Sequence, residues 1–161
     1  MKKINDLIAA GVIIGCIGNI FLHIFRLLIR PLITSMGIKT RTSWNDLASL
    51  FFKPPEVYTF WAQFYGFLVT FGVSITNCIV LGVLLRFTGR DFAYLKSMIV
   101  CTASVMFAFM ILYPSLGLVA NQHSIATTYY ALFVNELFAI LVAYLYVRIT
   151  NIGMGMQREN K

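Results

Sequence analysis

Four apolar stretches divide this chain, and each is long enough to cross a bilayer as a helix. They run roughly from Leu7 to Ile29, Thr59 to Leu85, Phe92 to Tyr113 and Ile125 to Val147. A helix rises about 1.5 Å per residue, so about 20 residues cross about 30 Å of hydrocarbon. Backbone amides in lipid must be satisfied within the segment, and no period-two alternation suggests a barrel, so helices are expected. The fold class is all-α: a four-transmembrane-helix bundle forming one membrane domain over residues 1–161.

Composition closes off the alternatives. Hydrophobic residues make up 59% of the chain and charged residues 12%, more apolar surface than a soluble domain of this size can hide. The net charge of +7 does not point to nucleic acid, because the basic residues sit beside the apolar runs. Membrane lipids are the expected partners of such residues. Cys16, Cys78 and Cys101 all fall inside apolar runs with no C-x-x-C spacing, so they are expected to be packing thiols without a redox role. Lys2 and Lys3 followed by apolar residues suggest a signal peptide, but the run continues to Ile29 without a small-residue cleavage site. A retained first helix is expected.

Four spans place both termini on one side. That side carries Lys2, Lys3, Arg86, Arg90, Lys96, Arg148, Arg158 and Lys161, against Arg26, Arg30, Lys39, Arg41 and Lys53 on the other. The bias predicts cytoplasmic termini in the cell membrane. Pro31 is expected to end the first span. Between spans one and two, Ser43 and Asp46 form a helix-start signal, and Trp44, Leu47, Ala48, Leu50 and Phe51 recur at helical spacing before Pro54 and Pro55. This predicts a short interfacial amphipathic helix over about 44–53, folded back on the bundle. Gly89 and Asp91 mark a tight hairpin between spans two and three, with Asp91 placed to cap span three. Tyr58, Trp61 and Tyr65 read as an aromatic anchor at the start of span two.

The few polar residues inside the spans are the candidate site. Glu136, preceded by Asn135, stands near the middle of span four, where a charged carboxylate costs several kcal/mol unless paired or hydrated. Residues of similar depth are Asn19, Ser74 and Ser104, with Thr102 beside them and Asn77 a turn further in. They are expected to form an intramembrane polar cluster, either a clasp between helices or a proton, ion or ligand site. His23, Arg26 and Arg30 continue from Asn19 along span one as an outer polar seam, which either contacts lipid headgroups or lines a water-filled path. The two histidines, His23 and His123, lack ligand-spaced neighbours, so no metal is expected. No nucleophile, phosphate-loop or dinucleotide motif occurs, so neither enzymatic activity nor a cofactor is expected. Gly11-x-x-x-Gly15 allows close helix approach, from this chain or from another copy.

Trp61-Ala62-Gln63-Phe64, Leu84-Leu85-Arg86 and Tyr113-Pro114-Ser115-Leu116-Gly117 give the chain a further likeness. In these motifs and in the order of its features it resembles the YqhR-like membrane proteins of spore-forming Gram-positive bacteria. The resemblance implies four spans, a long first connection rich in Trp and Pro, and an aromatic-Pro break after span three. It carries no activity over. The expected function is a structural or accessory subunit of a membrane assembly, through self-association or a larger complex. The alternatives are a small transporter or channel component using Glu136, or a binder of lipid or lipophilic ligands.

Overall fold

The computed structural model describes residues 2–37, 43–53, 55–107, 111 and 125–150, which form an all-α bundle. α1 spans Lys2–Ser35, α2 Ser43–Ala48, α3 Phe60–Thr88, α4 Ala93–Phe107 and α5 Ile125–Ile149. A 3-10 turn at Glu56–Tyr58 leads into α3. Three helices, α1, α3 and α5, are long and apolar enough to cross a membrane. α4 is apolar as well, but its 15 residues cover about 22 Å. Most of the remainder of the expected third span, the Pro114–Ser124 connection and the tail from Asn151 lie outside the described residues.

Only 39%, 33% and 33% of the crossing windows of α1, α3 and α5 is buried within the chain. Large apolar side chains such as Ile13, Leu28, Leu68, Ile99 and Phe133 therefore face outward. An aqueous surface of this kind would drive aggregation, whereas hydrocarbon accepts it.

The long helices pack as a ring, α1 against α3 and α5, and α4 against α3 and α5. The glycines of α1 set the first contact. A Cβ on Gly11 would lie 2.6 Å from Cγ1 of Ile79, and one on Gly15 would lie 2.8 Å from Cα of Ile75. The Gly11-x-x-x-Gly15 motif therefore joins α1 to α3 of the same chain. On the facing helix, Ala62, Gly66, Thr70, Ser74, Cys78 and Gly82 recur at every fourth position, and all are buried. Small residues in such a row let neighbouring backbones approach where lipid supplies no hydrophobic drive. Around them Ile14, Leu81, Leu85, Val134, Phe138, Val142 and Tyr146 fill the core.

Two expectations about the elements are corrected. Pro31 does not end α1, which continues to Ser35. Pro31 and Leu27, whose carbonyl the proline leaves without its helical donor, are both exposed, so no neighbour is displaced by the ring. The helix stops instead at Gly37, whose φ of 76° is a left-handed C-terminal cap, its N–H donating to the Thr34 carbonyl at 3.0 Å.

The interfacial helix is also shorter than 44–53, since α2 ends at Ala48. Phe51 and Phe52 both donate backbone N–H groups to the Ala48 carbonyl, at 3.0 and 2.9 Å. Both rings then meet Tyr65 edge-on, at 5.1 and 5.8 Å. Beyond Ala48 the chain turns out of the helix with both phenylalanines on the Tyr65 ring. The segment folds back against α3, as expected. The side chains of Ser43, Trp44 and Asp46 lie outside the described residues.

Between α3 and α4, Gly89 takes a φ of 75° and Phe92 a φ of 58°. Basic side chains close the helix ends here. Lys96 Nζ donates to the carbonyls of Thr88 and Gly89 at 3.2 and 3.0 Å, and Arg90 donates to those of Val147 and Thr150 at the end of α5. Each cation thus sits where terminal carbonyls concentrate negative potential.

Candidate functional site

The interior contacts between helices are made by single hydroxyl groups. Ser97 Oγ on α4 donates to the Ala139 carbonyl on α5 at 2.7 Å, with Ser97 fully buried. Tyr146 on α5 reaches across the ring and donates to the Cys78 carbonyl on α3 at 2.5 Å. Its hydroxyl lies over Gly82, where a Cβ would come within 2.8 Å of it. Neither Ser97 nor Tyr146 stands out in the sequence, because both read as ordinary members of an apolar run.

Toward the middle of α5, Glu136 is half-buried and faces α4. Thr102 Oγ1 donates to its Oε1 at 2.5 Å. The second carboxyl oxygen, Oε2, is buried and has no hydrogen-bond partner among the described residues. Asn135 Nδ2 is in the same condition. Asn19 on α1 is the extreme case, fully buried with neither side-chain oxygen nor nitrogen partnered among the described residues. The residue before it, Gly18, fits against the Phe138 ring, with a Cβ-to-Cε2 distance of 2.8 Å. Asn19 and Glu136 therefore lie within about one helical turn of the same depth.

The expected polar cluster divides in two. Asn19, Ser74, Asn135 and Glu136 are inside or at the inner margin of the bundle, with Thr102 holding the carboxyl. Asn77 and Ser104 instead line a furrow of about 370 Å³ between α3 and α4, together with Val69, Gly72, Val73 and Thr76. Gly72 and Thr76 are exposed on it, and a Cβ on Gly72 would meet nothing within 4 Å. Depth alone grouped these residues; the helical face separates them.

The outer seam is likewise distributed. The His23 ring packs on Phe67 and Phe71 of α3, at centroid distances of 5.6 and 6.4 Å. Arg26 is half-buried and lies within electrostatic range of His23 and of Tyr130 on α5, while Arg30 is exposed. Cys78 and Cys101 are buried on α3 and α4, and Cys16 is half-buried on α1. Among the described residues no group of three His, Cys, Asp or Glu side chains could hold a metal ion. His123 lies outside the described residues.

No protein family, curated protein or solved structure matches this chain.

Proposed function

We propose that this chain is a four-span structural or accessory subunit of a membrane assembly, with both termini in the cytoplasm. The observation that carries the reading is the furrow between α3 and α4. Asn77 and Ser104 put polar groups on a lipid-side furrow near mid-span, Thr76 bonds back to the Gly72 carbonyl of its own helix, and Gly72 leaves the furrow open to another helix. Lipid tails cannot hydrogen-bond such groups, whereas a packed helix can, at about 0.6 to 1.7 kcal/mol per bond. The aromatic end of α3 and the basic end near Arg90 anchor such a subunit at fixed depth.

The test is the native mass of the chain in lipid nanodiscs. A complex larger than one 18.2 kDa copy is expected, and Gly72→Leu, whose Cβ starts in open space and whose side chain fills the furrow, should release the monomer. A wild-type monomer with no copurifying protein refutes the reading.

A second reading is favoured by Glu136, whose carboxyl lies among inward-facing polar groups. In it, the chain is a transport component that uses Glu136. Proton or cation flux in liposomes that is lost in Glu136→Gln would support it, and equal flux in the two proteins would remove it.

A further inference from the structure

The unpartnered side-chain atoms of Asn19, Asn135 and Glu136 are of both kinds. Asn19 Nδ2 and Asn135 Nδ2 are donors, while Asn19 Oδ1 and Glu136 Oε2 are acceptors. This mixture decides what can occupy the centre. A bare cation would satisfy the oxygens and leave two amide groups without acceptors. An anion would do the reverse, beside a carboxyl group. Water both donates and accepts, and it is small enough for the space between packed helices.

Leaving these groups dry is costly, because each buried polar group without a partner forfeits the hydrogen bonds it makes in water. Asn19 is the sharpest instance: it is fully buried and follows Gly18, against which the Phe138 ring packs. An apolar side chain there would pack without any such cost. A dry interior gives the amide no role.

We propose that the centre of the bundle is an internal hydration site, in which bound water molecules link Asn19 on α1 with Asn135 and Glu136 on α5. The same water reaches the carboxyl that Thr102 holds through its other oxygen. The site places exchangeable protons at mid-membrane depth. It is independent of the assembly and transport readings, since a hydrated centre that conducts nothing leaves it intact.

Water-edited solid-state NMR on the labelled chain in bilayers tests this directly. Magnetisation from water is expected to reach the Asn19 amide several-fold faster than the equally enclosed Ile14 and Val142. Build-up no faster than at those apolar residues overturns the proposal, with no variant required. Thermal unfolding supplies a second readout. Asn19→Leu should lower the melting temperature, and its effect should be smaller in the Glu136→Gln background, where the water bridge is already weakened. A dry Asn19 predicts the opposite, a melting temperature raised by leucine, and that result also overturns the proposal, as does strict additivity of the two substitutions.

Discussion

At the scale of single residues, stability rests on a few hydroxyl groups aimed at backbone carbonyls. Tyr146 is the most consequential, because its bond to the Cys78 carbonyl is the described link across the diagonal of the ring. Tyr146→Phe keeps the ring and removes the donor. The Cys78 carbonyl lies within α3 and has a helical partner of its own, so the loss should be near about 1 kcal/mol. Gly82→Ala attacks the same point sterically and should cost more, about 1 to 3 kcal/mol, because the hydroxyl it displaces is held in place. Reversible unfolding in mixed micelles measures both. An unchanged Tyr146→Phe would mean that the diagonal contact contributes nothing. The candidate site was legible in part for the same reason. Glu136 and Asn19 are conspicuous against apolar runs, and depth is countable from the sequence. Which face each side chain takes depends on how the helices rotate against one another, and the runs are apolar on every side. Depth alone therefore groups Asn77 and Ser104 with Glu136, although they line another surface.

At the scale of helices, the two central glycine environments make opposite predictions. Gly15→Ala places a methyl group 2.8 Å from the backbone of Ile75, so α1 and α3 must separate. Backbone cannot rotate away as a side chain can, and a loss of about 1 to 3 kcal/mol is expected. Gly72→Ala meets nothing within 4 Å and gains helix propensity, so the isolated chain should be unchanged or up to about 1 kcal/mol more stable. Melting of the two variants side by side checks this, and a Gly15→Ala chain as stable as the wild type would show that α1 and α3 do not meet at Gly15. Helix existence was readable because length and hydropathy suffice in a bilayer. Helix ends were not. Pro31 carries a strong stop signal, yet at an exposed position its cost is small, and Gly37 supplies the actual cap. The short α2 ends where Tyr65, which lies beyond two prolines in the sequence, draws both Phe51 and Phe52 onto one ring. A tertiary contact of that kind leaves no local signature.

At the scale of the molecule, α3 acts as a ruler. Trp61 lies in its first turn and Arg86 in its last, about 37 Å apart along the axis. That separation exceeds a hydrocarbon core of about 30 Å by enough to place each side chain at its own interface. The exposed Trp61, with Tyr58, Phe60 and Phe64 beside it, suits the headgroup boundary, while Arg86, Arg90, Lys96 and Arg148 crowd the other end. If the ruler is correct, the depth of one indole fixes the depth of everything else, including Glu136 near the midplane. The chain has two tryptophans, so Trp44→Phe isolates the emission of Trp61. In vesicles carrying nitroxide lipids, a label near the glycerol backbone should quench that emission more strongly than one near the acyl-chain terminus. The opposite order would sink the Trp61 end of α3 by more than a turn and push Arg86 well beyond the other interface. It would also carry the polar furrow and the carboxyl away from mid-membrane, so this one measurement bears on the placement of both sites.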